Sequence, residues 1–262
     1  MEFIELGQTG VKVPEIGLGM WAYTGGIEPI HRGVQLGAWF LDTAENYGTE
    51  LAVGNAIKGM RDSVFVATKV SPHHFRRGDL QNAAEQSLKQ LGTDYIDLYQ
   101  LHWPNPSVPI EETMEAMESL VEAGKVKFIG VSNFSVIQLQ QAQAALRKVK
   151  VVSNQVKYNL IARDIEDELI QFCRDNRVTV IAYSPLSEGL HRILQRDNNG
   201  IIKKISHETD KTAAQIVLNW CTRRNGVMVI PKSNRVERVE ENCGASGWRL
   251  SSAHIEALDQ VG

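Results

Sequence analysis

Only three cysteines occur in the 262 residues, Cys173, Cys221 and Cys243, far apart, odd in number and without a C-x-x-C pair. Neither a disulfide framework nor a cysteine zinc site is expected, and a reducing cytoplasm is the default compartment. Apolar runs long enough to cross a bilayer are missing, so no transmembrane helix is expected. The opening "MEFIELGQTG" has no basic stretch followed by an apolar one, so no secretory signal is expected. Charge of one sign is not in excess either. With 28 basic and 31 acidic residues the net charge is −3, which argues against nucleic acid or an anionic membrane as the main partner. No Pro-, Gly- or Ser-rich linker divides the chain, and 43% hydrophobic residues suffice for a substantial core. A single domain spanning 1–262 is therefore expected.

What is present is a regular alternation. Eight short, apolar, β-branched runs read as strands: "EIGLGMW" (15–21), "AWFLDTA" (38–44), "VFVATKV" (64–70), "YIDLYQLHW" (95–103), "KFIGVSN" (127–133), "VVSNQVKY" (151–158), "VTVIAYS" (178–184) and "VMVIPKS" (227–233). Amphipathic segments lie between them. One places Leu80, Ala83, Ala84, Ser87, Leu88 and Leu91 on a single helical face; another does so with Ile110, Met114, Met117, Leu120 and Val121. Gly92 and Gly124 fall where helix C-caps belong, and Asp164 and Thr212 fall near helix starts. Strands alternating with helices imply βαβ units and a parallel sheet, and eight units in this length match a closed (β/α)₈ TIM barrel. The first fifteen residues read as an N-terminal β-hairpin outside the repeat, closing the barrel floor. "SSAHIEALDQV" reads as an extra C-terminal helix.

Gly17-Leu18-Gly19-Met20-Trp21-Ala22 fits the dinucleotide fingerprint G-x-G-x-x-A, with Asp42 at about the right distance for the ribose acid. That motif requires a helix to open at the glycines. Here a Gly pair and a proline follow within "MWAYTGGIEPI", so the Rossmann reading is disfavoured.

In a barrel of this kind the active site lies at the C-terminal ends of the strands. Those ends carry Trp21, Asp42, Lys69, His102, Ser132, Asn133, Gln155, Tyr183, Ser184, Lys232 and Ser233. Each alone has an ordinary explanation as a turn or a solvated strand end; together they occupy one rim. A lysine beside a carboxylate is held in place and charged, and a phenol near that ammonium is expected to have its pKa lowered. A neutral histidine next to it can orient a substrate oxygen. Asp42, Tyr47, Lys69 and His102 thus have the means to protonate a carbonyl oxygen as hydride reaches its carbon.

The sequence resembles the aldo-keto reductase family along almost its full length. The likeness rests on "GLGMW", "LDTAENYG", "VATKV", "LYQLHWP", "KFIGVSNF", "SNQVKYN", "IAYSPL" and "VIPKSNRVERVEEN", in that order. The resemblance implies a barrel that binds NADPH without a Rossmann domain and reduces an aldehyde or ketone. It implies Tyr47 as general acid, Lys69 and Asp42 as its tuning pair, and His102 as the group that orients the carbonyl. Ser132, Asn133 and Gln155 would hold the nicotinamide carboxamide and Tyr183 would stack on the ring, with Met20, Trp21, Asp42, Ser184 and Leu186 beside the cofactor. Lys232, Ser233 and Arg238 would grip the 2′-phosphate, with Glu241 and Asn242 on the adenine side; two cations and a hydroxyl suit a phosphate dianion.

Departures from the family concern the pocket walls. The connection "PNPSVPIEET" after His102 is short, and little chain follows the last helix, so a relatively open site with broad carbonyl specificity is expected. Trp21, Tyr47, His102 and Trp103 would line its substrate end. The connection after the seventh strand is long and polar, and Ala22 stands where relatives often carry a basic residue. His73 and His74 lack a carboxylate or cysteine at ligand spacing, so no metal site is expected. Two other readings remain: a lyase forming a Schiff base on Lys69, and a non-catalytic NADPH sensor. A monomer is expected.

Overall fold

The computed structural model describes residues 1–261. A hairpin comes first, with β1 (Phe3–Glu5) antiparallel to β2 (Lys12–Pro14). Eight parallel strands follow, hydrogen-bonded in sequence order. They are β3 (Leu18–Gly19), β4 (Phe40–Asp42), β5 (Phe65–Val70) and β6 (Ile96–Leu101), then β7 (Val126–Ser132), β8 (Val151–Lys157), β9 (Thr179–Tyr183) and β10 (Val227–Val229). The first strand returns to the last: Ile16 bridges Val229 in parallel, the Gly17 N–H donates to the Val229 carbonyl (2.8 Å) and the Gly19 N–H to the Pro231 carbonyl (3.2 Å). The ring is therefore closed, and the fold is the (β/α)₈ barrel.

The seam explains the "GLG" stretch. A Cβ on Gly19 would lie 2.6 Å from the Ile230 carbonyl oxygen, and one on Gly17 would lie 2.9 Å from that of Phe40. These glycines serve close strand packing, not a phosphate-binding helix; α1 (Glu28–Gln35) starts well after them.

Helices α2 (Glu50–Ala56), α3 (Arg77–Leu91), α4 (Ile110–Glu122), α5 (Val136–Ala145) and α6 (Leu169–Asp175) connect the next strands. The β9–β10 connection is not simply a polar loop: it holds α7 (Leu190–Leu194), α8 (Ile201–Thr209) and α9 (Ala213–Cys221). α10 (Val236–Cys243) follows β10, and α11 (Ser252–Leu258) is the added C-terminal helix. Gly92 ends α3 at φ +63°, a left-handed position that glycine adopts freely. Thr212 caps α9 through a reciprocal pair with Gln215. Asp164 does not start α6, which begins at Leu169. The intervening turn instead sends Glu166 into an ion cluster with Arg163 and Arg223, each 2.8 Å away.

Two apolar layers hold the barrel. Phe40, Phe65, Ala67, Leu98, Val152, Ile181, Met228 and Ile230 fill its interior together with Leu6 and Val13 of the hairpin. The hairpin thus plugs the floor, as its two apolar runs suggest. The second layer packs the helices on the outside of the sheet and includes Leu80, Leu88, Met114 and Met117. Among the described residues no helix is long and apolar enough to cross a membrane.

Candidate active site

Each polar strand end enters the mouth from its own strand. β4 is buried throughout and ends at Asp42, 2% exposed. The chain then makes one turn of 3₁₀ helix, Glu45–Tyr47, stopped by Gly48 at φ +69°. This lifts Tyr47 above the barrel. Thr49 precedes α2 without capping it; its hydroxyl pairs with that of Thr43 (2.8 Å) and pins the turn to the end of β4.

Lys69 arrives on β5 with no exposed surface. Its Nζ donates to Asp42 Oδ1 (2.7 Å) and to the Thr43 carbonyl (2.7 Å), and it lies 4.8 Å from the centre of the Tyr47 ring. The other carboxylate oxygen of Asp42 accepts from Gln155 Nε2 (2.7 Å) and from Gln100 Nε2 (3.3 Å). His102 follows β6, and its Nε2 stands 3.4 Å from the Tyr47 hydroxyl. The backbone carbonyl of His102 accepts from Asn133 Nδ2 (3.1 Å), while Asn133 Oδ1 accepts from the Tyr183 hydroxyl (3.1 Å).

The electrostatics correct one expectation. Burial pushes the Tyr47 phenol above its ordinary pKa, and the Asp42 charge pushes it the same way. The Lys69 charge does not outweigh these two. Lys69 itself is drawn down by its complete burial, with Asp42 opposing. Tyr47 therefore holds its proton throughout the neutral range, the state a proton donor requires. His102 is lowered to about 4, by burial first and then by the Lys69 charge, so it is neutral at pH 7. Its Nδ1 is buried without a partner. A stranded lone pair is more tolerable there than a stranded N–H, which favours the tautomer with the proton on Nε2. Two donors, Tyr47 O–H and His102 Nε2–H, then face one point in the cavity.

That cavity has a volume of about 680 Å³. Tyr47, His102, Trp21 and Trp103 line one part of it, and both tryptophans keep about half their surface exposed, at 59% and 49%. Ser132, Asn133, Gln155 and Tyr183 form another wall; Met20, Ser184, Leu186 and Lys232 are also at its surface, and Asp42 reaches it. Asn133 and Ser184 hold left-handed backbones, at φ +62° and +48°, where the chain turns sharply off β7 and β9. Lys69 does not line the cavity, so its amine is not presented for Schiff-base chemistry.

Four further sequence-derived residues lie outside the cavity. Ser233 bonds the Arg235 backbone, Arg238 pairs with Glu241 (2.5 Å) on α10, and Asn242 is buried. They continue along the chain from Lys232, which does line the cavity. His74 pairs with Glu45 (3.0 Å), and among the described residues no three His, Cys, Asp or Glu side chains gather as a metal site.

Sequence reasoning missed Gln100, although the period-two rule places it on the same face as His102. Asn46, Glu188 and Gly189, missed as well, line the mouth from turns and loops that carry no periodic signal, whereas Gln100 lies buried behind it. A clasp closes the first loop: the Thr24 N–H donates to Asn234 Oδ1 (3.0 Å), and Asn234 Nδ2 donates to the Thr24 hydroxyl (2.9 Å).

Residues 15–262 match the aldo/keto reductase family. The chain belongs to that family. Methylglyoxal reductase YeaE of Escherichia coli (strain K12) is 36% identical over 262 residues, covering 96% of this chain and 92% of that protein. Glyoxal reductase of Bacillus subtilis (strain 168) is 32% identical, covering 96% and 90%. Among solved structures, a thermostable aldo-keto reductase in complex with the inhibitor epalrestat superposes with a TM-score of 0.94 at 39% identity, covering 100% of both chains. An aldo/keto reductase from Klebsiella pneumoniae, crystallised with NADP and acetate, gives a TM-score of 0.87 at 36% identity, covering 98% of this chain and 94% of that one. The aldo-keto reductase described here thus shares both sequence and barrel with enzymes named for carbonyl reduction.

Proposed function

We propose that this aldo-keto reductase converts aldehydes or ketones to alcohols with NADPH, acting as a single-domain monomer in the cytoplasm. The observation that carries the reading is the convergence of Tyr47 and His102, 3.4 Å apart, on one point of the cavity in front of the buried Lys69–Asp42 pair. A carbonyl oxygen placed there accepts from both. Tyr47 then transfers its proton to the oxygen as negative charge develops, and His102 keeps the oxygen in line. An alkoxide is a far stronger base than a phenolate, so even a phenol of raised pKa donates downhill. Tyr47 is half-buried at the mouth, where solvent restores its proton.

The residues present suit the dinucleotide. The side-chain amides of Asn133 and Gln155 and the Tyr183 ring share one wall, and Lys232 leads out of the cavity toward Ser233 and Arg238. When bound, NADPH supplies the hydride. Ser132, Asn133 and Gln155 would hold its nicotinamide amide, and Lys232, Ser233 and Arg238 would hold its 2′-phosphate. Methylglyoxal and glyoxal, the substrates named for two relatives, are reactive dicarbonyls that an open site flanked by Trp21 and Trp103 admits.

The test is direct. Incubation with NADPH and an aromatic aldehyde or a dicarbonyl should consume cofactor and yield alcohol in equal amounts; tight NADPH binding without consumption across a panel would indicate a sensor instead.

Replacing Arg238 by Ala should raise KM for NADPH by ~10-fold or more and leave KM for NADH little changed, because a phosphate loses a charge-assisted partner. Equal effects on the two cofactors would remove Arg238 from the phosphate site.

The acid limb of kcat/KM should follow His102. Its folded pKa, about 4, lies below the ordinary histidine value, so the neutral donor persists until the pH nears 4. The same shift makes His102 contribute stability that is complete above about pH 6.5 and is lost as the pH falls toward 4. An activity loss centred near pH 6.5 that disappears in His102→Gln would contradict this.

A further inference from the structure

Asp42 Oδ2 has two amide donors that differ in what else they touch. Gln155, at 2.7 Å, lines the cavity. Gln100, at 3.3 Å, has no exposed surface and does not line the cavity. Its orientation is chemically fixed: Asp42 Oδ2, the carboxylate oxygen not bonded to Lys69, accepts, so Nε2 must point to Asp42 and Oε1 away from it. That Oε1 is buried without a partner, as is the hydroxyl of Ser153. Gly130 adjoins both. A Cβ there would lie 2.9 Å from Gln100 Cγ and 2.4 Å from Ser153 Oγ, so the bare backbone of Gly130 is what allows Gln100 to lie in the barrel. Gln100 thus keeps a weak bond to Asp42 while leaving its own acceptor unsatisfied, an arrangement costly for a residue with no task.

We propose that Gln100 is a positioning residue that holds Asp42 when Gln155 turns from it to a ligand in the cavity. The inference rests on the NADPH reading above, in which Gln155 holds the nicotinamide amide. With Gln155 turned away, Gln100 is the remaining amide donor to Asp42 Oδ2, and it closes the longer bond. Asp42 then keeps its place against Lys69, and the Tyr47 proton donor keeps its surroundings. Without Gln100 the exchange strands a buried carboxylate oxygen, so Gln155 stays on Asp42 and the ligand loses a partner.

The test is a double-mutant cycle on Gln100→Met and Gln155→Ala, read by NADPH titration of tryptophan fluorescence and by thermal unfolding of the cofactor-free protein. Gln100→Met should weaken NADPH binding by ~10-fold, the effect of one hydrogen bond to a charged group. Adding Gln155→Ala to it should weaken binding much less than Gln155→Ala does alone, because Gln155 is already withheld. Without cofactor, either single change leaves Asp42 Oδ2 one amide and the double change leaves none, so the loss in Tm for the double variant should exceed the sum of the single losses. An unchanged NADPH Kd in Gln100→Met overturns the proposal, even if the double variant fails to fold; additive Tm losses overturn it as well. Failure of the wild-type protein to bind NADPH would sink the cofactor reading instead, and the cofactor-free Tm cycle would still judge whether the two amides share Asp42.

Discussion

Replacing Tyr47 by Phe should lower kcat by at least ~10²-fold while leaving NADPH affinity little changed. The substitution removes one oxygen and keeps the ring that packs against His102, with ring centres 5.4 Å apart, and over Lys69. The pocket should therefore keep its shape, and the loss should fall on the step in which the carbonyl oxygen takes up charge. The raised pKa of Tyr47 adds a second signature. The basic limb of the wild-type profile should lie above the ordinary phenol range, because burial and Asp42 both oppose ionisation. Steady-state kinetics with NADPH and one aldehyde, beside a binding titration, measures both. Wild-type turnover in Tyr47→Phe would end the assignment.

Replacing Lys69 by Met should be as damaging to activity and far more damaging to the fold. The change leaves Asp42, 2% exposed, without its cation, and removing one member of a buried ion pair costs about 3–5 kcal/mol. The uncompensated charge would also press on Tyr47 and make its proton harder to release, so kcat should fall by ~10²-fold or more. Removing both charges, with Lys69→Met and Asp42→Asn together, should recover much of the stability and none of the turnover. Denaturant unfolding and kinetics on the three variants separate the two effects. A stable, active Lys69→Met enzyme would show that the pair does not support Tyr47.

The barrel was legible because its signals are periodic. Eight apolar runs alternate with amphipathic helices, and every run proved to contain a strand, although "EIGLGMW" keeps only Leu18–Gly19 in β3. The runs overstate the strands because the residues that leave a barrel strand for the mouth remain apolar or aromatic, as Trp21 and Trp103 do. Asp42, His102, Asn133 and Gln155 were legible as polar interruptions at strand ends. The direction of the Tyr47 shift was not, because it depends on how burial and the Asp42 charge weigh against the Lys69 charge, and that is a matter of ångströms. Gln100 escaped notice inside an apolar strand, where a polar residue reads as an exception and not as a member of the His102 face. The start of α6 was misplaced because "RDIEDE" has helical composition, whereas Glu166 is committed to Arg163 and Arg223.

The most direct measurement is a crystal structure of the enzyme with NADP and a bound ketone or aldehyde. The carbonyl oxygen should lie within about 3 Å of both the Tyr47 hydroxyl and His102 Nε2, with Lys69 still on Asp42. An oxygen bound elsewhere in the cavity, with those two donors facing solvent, would contradict the account.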